Sequence, residues 1–429
     1  MNYQEALSWI HSKVKKGEKP GLKRIKWLLE QFDNPQDRLA AIHLVGTNGK
    51  GSTVSYLKDI FCASGYKVGT FTSPFIVEFR ERISVNGHMM SEEDLIAMVK
   101  KVEPVVESLP AKTGYAPATE FEIITLIMFL YFTELNPVDL AIIEAGLGGL
   151  LDATNVFQAL AVVCPSIGLD HQELLGETYS DIAGQKVGVL KDREPFIFAT
   201  DKKEVRQVFQ AKAQETASPL YELGKDFTIA CKKEGFDFTY QATTLKNIHL
   251  AMLGRHQKQN ASLAVMTSLI LKEAFPKVTS ASIIKGLSQS KWVGRTEFLE
   301  NQFMIDGAHN NESIQALVQL MQEDFSDKDI TILFAAINSK PVDDMLKQLS
   351  QVGQVFVTSF DFPKCLALED YPKKYPQLRD YKKWLLEKQA QLKNKNQLLL
   401  VTGSLYFISE VRQFVLEHKR INDTKIIDQ

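Results

Sequence analysis

Four cysteines in 429 residues, Cys62, Cys164, Cys231 and Cys365, are too few and too scattered for a disulfide framework, and none has the CxxC or Cys/His spacing of a zinc site. No apolar run reaches the roughly 18 residues that a membrane-spanning helix needs. The longest, IITLIMFLYF over Ile123–Phe132, reads as a buried helix. Net charge is nearly absent: 50 basic against 52 acidic residues leave −2, which removes the electrostatic reason to expect nucleic acid or an anionic membrane as partner. Any anionic ligand must then be held by a local site. The opening MNYQEALSWIHSKVKKG has no apolar segment or small-residue cleavage site, so a cytoplasmic protein is expected. Low-complexity tracts, solenoid repeats and Gly/Ser- or Pro-rich linkers are also missing. What is present is a globular composition, 45% hydrophobic, in a chain too long for one ordinary core, so two domains are expected.

Helical patterns open the chain at about Tyr3–Val14 and Leu22–Phe32. A strand at Ala40–Val45 runs into the glycine-rich GTNGKGS, and Val54, Leu57, Phe61 and Ser64 then recur at helical spacing up to Gly65. Lys67–Phe71, Val138–Ile143, Leu160–Pro165 and Pro195–Ala199 are near-continuous apolar runs, as strands of a parallel sheet covered on both faces are. Short alternating segments between Leu220 and Leu253 suggest a small β excursion, and a helix follows over Gln257–Ala274. From Phe298 a second α/β series begins, with strands at Phe303–Ile305, Ile330–Ala335, Val355–Thr358 and Leu398–Thr402. The domain break is expected near Arg295–Leu299, giving domains 1–296 and 297–429. The Lys-rich stretch Lys373–Lys395 reads as a solvated helix with Trp384, Leu385 and Leu392 turned inward rather than as a basic binding patch.

The strongest local signal is Gly46-Thr47-Asn48-Gly49-Lys50-Gly51-Ser52. Glycines let backbone N–H groups turn towards phosphate oxygens, and the following helix adds its positive end. Lys50 supplies a point charge and the Ser52 hydroxyl can join a Mg²⁺ shell. Glu144 ends the buried run Val138–Ile143, where open α/β sheets bind ligands, so it can serve as a Mg²⁺ ligand or simply cap a turn. His171 in IGLDH also follows a buried strand, as a site residue or a satisfied structural histidine. Lys186 in GQKVGVLK reads, taken alone, as a surface lysine. Asp306 and His309 in IDGAHN end the first strand of the second series; Asp306 or Asn310 could cap the next helix, or the group could face a cleft.

Together these segments closely resemble the folylpolyglutamate synthase and dihydrofolate synthase family, a branch of the Mur ligases. The matching pieces are HLVGTNGKGS (His43–Ser52), TSPF (Thr72–Phe75), FRERI (Phe79–Ile83), TEFE (Thr119–Glu122) and EAGLGGLLDATN (Glu144–Asn155). They continue with Leu169–His171, GRHQKQN (Gly254–Asn260), WVGRTE (Trp292–Glu297), DGAHN (Asp306–Asn310) and GSLY (Gly403–Tyr406), in family order across almost the whole chain. The fold implied is α/β: a P-loop ATPase domain with a mainly parallel sheet, then a smaller Rossmann-like domain, with substrates in the cleft. The activity implied is an ADP-forming ligase that joins L-glutamate to a folate through an acyl-phosphate.

By position, the resemblance assigns Asn48, Gly49, Lys50, Gly51 and Ser52 to the ATP phosphates, with Asn260, Arg295 and Asp306 as further nucleotide contacts. Ser52, Ser73, Glu144, His171 and Lys186 match the metal site, two Mg²⁺ ions being expected, Lys186 as the lysine that the family carbamylates. K⁺ is a further cation that the resemblance admits. Lys50, Lys186 and His309 take the catalytic roles, and Pro74, Phe75, Arg82, Ser404 and Tyr406 the acceptor side. A monomer acting on folate or dihydropteroate and L-glutamate, without nucleic acid or membrane, is implied. Departures from the family pattern are Leu150 after GLGG, Val293 for the proline of WPGR, Arg80 for the asparagine of FNER, and Asn338-Ser339-Lys340-Pro341 for the DKD motif. They bear on which pterin and chain length are accepted, and incline the reading to folylpolyglutamate synthase, with dihydrofolate synthase as an alternative or second activity. Cell-wall Mur ligases fit less well, since only 45 residues precede the glycine loop. A P-loop nucleotide switch or kinase would leave DGAHN, GSLY and the Asn260/Arg295 pair without a shared purpose.

Overall fold

The computed structural model describes residues 1–13, 21–392 and 394–427, with side chains as far as residue 419. Val14 and Lys393, which fell within two of the expected helical stretches, lie outside the described residues. The chain divides into two compact units, one of Met1–Ala251 with Lys258–Ser290, the other of Met252–Gln257 with Lys291–Gln429. The expected break at 296/297 thus falls inside the second unit, because the WVGRTE turn packs with the strands that follow it.

In the first unit eight strands form one sheet: β1 (Ala41–Leu44), β2 (Val68–Phe71), β3 (Ile83–Val85), β4 (His88–Met89), β5 (Leu140–Glu144), β6 (Ala161–Cys164), β7 (Phe196–Phe198) and β8 (Leu220–Glu222). Their spatial order is β4-β3-β2-β5-β1-β6-β7-β8. From β2 to β8 every pairing is parallel, and β3 and β4 add an antiparallel hairpin at one edge. Asn86 and Gly87, both at positive φ (52° and 80°), make the two-residue hairpin turn. The inner strands are buried on both faces, which is why their sequences are continuous apolar runs rather than alternating ones. Because β2, β5, β1 and β6 are adjacent and parallel, the four segments that follow them emerge at one edge of the sheet. That edge carries the glycine loop, Thr72–Pro74, Glu144 and Pro165–His171.

Helices Tyr3–His11, Lys23–Glu30, Glu92–Thr113 and Glu120–Leu130 pack against one another. The last is buried around its whole circumference and ends in a π-helical turn at Tyr131–Leu135, which accounts for the long apolar run. The β excursion resolves into β8, which joins the main sheet, and a separate antiparallel sheet of β9 (Thr228–Cys231), β10 (Phe236–Tyr240) and β11 (Thr243–Ile248).

The second unit contains β12 (Glu297–Glu300), β13 (Phe303–Ile305), β14 (Asp329–Phe334), β15 (Gln354–Thr358), β16 (Gln377–Leu378) and β17 (Gln397–Thr402) in the order β12-β13-β17-β14-β15-β16. Only β12 is antiparallel to its neighbour. The Lys-rich stretch is helical only over Tyr381–Gln391. Pro376 disfavours a helix through its position, having no N–H to donate, and Gln377–Leu378 is drawn off to pair with β15. Leu385 is buried, and Trp384 and Leu392 pack against the same core as expected.

Candidate functional site

The glycine loop is fixed by backbone geometry and by the segment after β6. Gly46 and Gly49 have φ of 142° and 86°, and Gly49 caps the helix Lys50–Ala63. A Cβ at Gly49 would stand 2.5 Å from Oδ1 of Asn260, so glycine is required and Asn260 lies directly on the loop. The hydroxyl of Ser166 donates to the Asn48 carbonyl (3.0 Å) and accepts from the Asn48 amide (3.1 Å). Thr47 Oγ1 donates to the Gly168 carbonyl and accepts from the Gly168 amide at 2.9 Å. Asn48 to Ser52 are therefore held open-turned at the start of a helix, the arrangement that binds phosphate.

Two ammonium groups converge under this loop. Lys50 Nζ donates to the Gly46 carbonyl at 3.0 Å and lies 3.7 Å from a Glu144 carboxylate oxygen. Lys186 Nζ donates to the same Gly46 carbonyl at 2.9 Å. Read alone as a surface residue, Lys186 is in fact 5% exposed. Burial first, and then the charge of Lys50, brings its pKa down to about 7. It is placed by the loop after β5: a Cβ at Gly149 would meet the Lys186 carbonyl at 2.6 Å, and the Leu150 amide donates to the Gln185 carbonyl at 2.7 Å. Leu150 itself projects outward, 42% exposed.

Sequence reasoning missed what holds that loop. The buried carboxyl of Asp152 accepts from the Leu147 amide (2.8 Å), the Thr154 amide (3.0 Å) and the Thr154 hydroxyl (2.6 Å), while burial raises its pKa. With its proton committed to Asp152, the Thr154 oxygen is left to accept from His43 Nε2 at 2.9 Å. Burial drives the pKa of His43 down to about 3, so it is the neutral imidazole that donates. Polar residues inside an otherwise apolar strand and turn were the available signal. On the other side, a Cβ at Gly146 would strike the ring of Phe121 at 2.5 Å, which ties TEFE to the loop.

Glu144 is buried, and the Ser73 amide faces its second oxygen at 3.4 Å. Ser52, whose hydroxyl is on the helix opening the glycine loop, is also buried. A carboxylate and hydroxyls are hard oxygen donors of the kind Mg²⁺ takes in small number while keeping water. His171 stands at φ 54° with its ring half exposed, 4.0 Å from its own neighbour Asp170. Among the described residues no three His, Cys, Asp or Glu side chains converge as a metal cluster. The oxygen donors at this edge are of the hard kind that suits Mg²⁺.

The segment after β2 begins with a cis Ser73–Pro74 peptide. Arg82 lies 5.2 Å from the centroids of Phe75 and Phe79 and 3.8 Å from Glu120, and His11 Nδ1 is 3.0 Å from the same Glu120 carboxylate. Pro74, Phe75 and Arg82 are thus neighbours in one aromatic and cationic patch beside Glu144.

Within the second unit, Asp306 is buried and accepts from the Thr296 and Ala308 amides, both at 2.9 Å. It caps a turn, while Asn310 caps the helix Asn311–Asp324. His309 Nδ1 is 2.8 Å from the Gly307 carbonyl. A Cβ at Gly307 would lie 3.2 Å from an Arg295 guanidinium nitrogen, which puts Arg295 beside the Asp306 loop. Sequence reasoning did not single out His256, which is partly buried near both; desolvation lowers its pKa, Asp306 opposes that and Arg295 adds to it. With Val293 in it, the turn is closed by Gly294 at φ 71° and by the Arg295 amide, which donates to the Trp292 carbonyl at 3.1 Å. Ser404 is buried at the end of β17, and Tyr406 stacks on Phe362 at 4.2 Å.

Residues 44–268 match the Mur ligase middle domain family. The chain is 38% identical to the dihydrofolate synthase/folylpolyglutamate synthase of Bacillus subtilis, over 96% of this chain and 98% of that one. It is 32% identical to the folylpolyglutamate synthase of Lacticaseibacillus casei, over 98% and 100%. Among solved structures, the apo L. casei FPGS superposes with a TM-score of 0.85 at 30% identity, and an FPGS–AMPPCP–folate complex with 0.86 at 30% identity. Each covers 97% of this chain and is itself covered in full.

Proposed function

The chain belongs to the folylpolyglutamate synthase and dihydrofolate synthase family of ATP-dependent Mur-type ligases, and from that premise we propose how its own residues carry out the ligation. The reaction adds L-glutamate to the γ-carboxylate of a folate, with ADP and phosphate released. A carboxylate and an amine do not condense in water unaided, so the γ-phosphoryl group of ATP first passes to the acceptor carboxylate. The glutamate amine then attacks the acyl carbon, and phosphate leaves from the tetrahedral intermediate.

The observation that carries this reading is the convergence of Lys50, Lys186 and Glu144 at the glycine loop. Asn48 to Ser52 would hold the triphosphate, with Lys50 placed to offset charge as the phosphoryl group moves. Asn260, Arg295 and Asp306 would add nucleotide contacts. Ser52, Ser73, Glu144, His171 and Lys186 would hold Mg²⁺, which, when bound, neutralises phosphate charge and aligns donor and acceptor. With a pKa near 7, much of Lys186 is the free amine at neutral pH, the form that accepts CO₂ to become a carbamate anion. Pro74, Phe75 and Arg82 would meet the acceptor, and His309, Ser404 and Tyr406 would line the glutamate side.

The test is ADP release from purified protein. Release should require both a reduced folate and L-glutamate, and Glu144→Ala should cut turnover by on the order of 10²–10³, as loss of one electrostatic stabiliser does. Near-normal glutamate-dependent release by Glu144→Ala would overturn the site assignment. Dihydropteroate supplied in place of folate tests the dihydrofolate synthase activity in the same assay.

A further inference from the structure

The segment 73–82, between β2 and the β3–β4 hairpin, is more tightly fixed than a connecting loop needs to be. Its own Glu81 carboxylate gathers three consecutive backbone amides, from Ile76, Val77 (2.8 Å) and Glu78 (3.1 Å). Glu78 and Glu81 cap the short 3₁₀ helix Phe79–Arg82 reciprocally. The Thr72 amide donates to the Arg82 carbonyl at 3.0 Å and closes the segment at its base.

A second set of contacts clamps it from outside. The Tyr3 hydroxyl, on the chain's first helix, donates to Glu78 at 3.1 Å across 75 residues of sequence. Arg80 pairs with the same Glu78 carboxylate and lies 5.3 Å from the centroid of the Tyr3 ring. Its remaining donors reach the Met90 carbonyl at 3.0 Å and Glu92, at the start of the helix Glu92–Thr113, at 3.7 Å. The Arg80 side chain is itself only 15% exposed, while its carboxylate partners Glu78 and Glu92 remain partly in contact with solvent. One guanidinium thereby joins the loop to the first helix and to the helix after the hairpin.

We propose that Tyr3, Glu78 and Arg80 form a latch that sets the position of Pro74, Phe75 and Arg82, and so tunes affinity for the acceptor. None of the three is placed to touch a reacting atom; they are positioning residues, and this proposal rests on the reading that segment 73–82 faces the acceptor. Arg80 suits the role because its planar fork can serve several acceptors at once, whereas a short amide such as asparagine could not reach both Glu78 and Glu92. Holding a binding loop in its productive shape lowers the ordering cost of binding without altering the chemical step.

Tyr3→Phe, Arg80→Asn and the double variant test it. Each single change should raise KM for the acceptor about tenfold, with kcat and the KM for ATP within twofold of wild type. The double variant should be no worse than the weaker single variant, because the residues act as one unit. Hydrogen exchange at the amides of 73–82 should quicken in all three variants without any substrate present. Unchanged acceptor KM and unchanged exchange would overturn the proposal, as would strictly additive effects or a parallel rise in both KM values. Faster exchange with unchanged acceptor KM would keep the latch but contradict its role in acceptor affinity. Absence of folate- and glutamate-dependent ADP release by the wild type would instead defeat the ligase reading, with the exchange data still reporting on the latch.

Discussion

Lys186 shows at the scale of one residue how far the sequence could be read. Its neighbours in GQKVGVLK give no hint of burial; that comes from Gly149 and Leu150, more than thirty positions away, closing over its helix. Lys50 was legible because glycines on either side of it leave few structural explanations, and Glu144 because it ends an apolar strand. The depressed pKa of Lys186 gives a sign that can be checked. Between about pH 7 and its ordinary value near 10.5 the unfolded chain binds a proton that the folded one does not, so this group makes stability rise with pH across that window. Below about 7 both states are protonated and the contribution is flat. Urea titrations of wild type and Lys186→Met at several pH values should show stability rising more steeply with pH across this window in the wild type than in the variant. A parallel pH dependence in the two proteins would mean that the lysine is not held in the way described. Tyr3 and Arg80 were illegible for a related reason: pairwise contacts over 75 residues leave no local trace.

Among elements, the buried parallel strands were readable because continuous apolar runs have few other uses, and their ends were placed within about two residues. The edge strands β12 and β16 were not, since a strand of two to four half-exposed residues carries no period. The first part of the Lys-rich stretch misled because its spacing outweighed Pro376, and because pairing of Gln377–Leu378 with β15 leaves no local trace. One helix pair decides the stability of the phosphate site. The helix Ser280–Gln289 lies against Lys50–Ala63, with Ser55 and Ser290 hydroxyls 2.9 Å apart and Ser64 donating to Ser282 at 2.8 Å. Between them Gly286 leaves no room: a Cβ there would meet the Asp59 carbonyl oxygen and the Ile60 backbone at 2.6 Å. Gly286→Ala should therefore force the helices apart, costing about 1–3 kcal/mol in chemical denaturation. Because Lys50 opens the displaced helix, KM for ATP should rise as well. Unchanged stability and unchanged KM would show that the contact is looser than the backbone distances imply.

For the molecule as a whole, β1 between β5 and β6, with β2 beyond β5, explains why residues scattered from 46 to 186 meet at one sheet edge. Adjacent parallel strands deliver their C-terminal ends together, and the glycine loop, Ser73, Glu144 and the segment up to His171 all follow such ends. The second unit repeats the arrangement, with Asp306 and Ser404 following the neighbouring parallel strands β13 and β17. None of the described helices is long and apolar enough to cross a membrane. The central claim is that this edge phosphorylates a carboxylate before an amine attacks it. A folate labelled with ¹⁸O in its γ-carboxylate tests this most directly, in a single complete turnover with ATP and L-glutamate. Mass spectrometry of the released phosphate should find one ¹⁸O atom per product formed. Phosphate carrying no label, with ligated product made, would contradict the account.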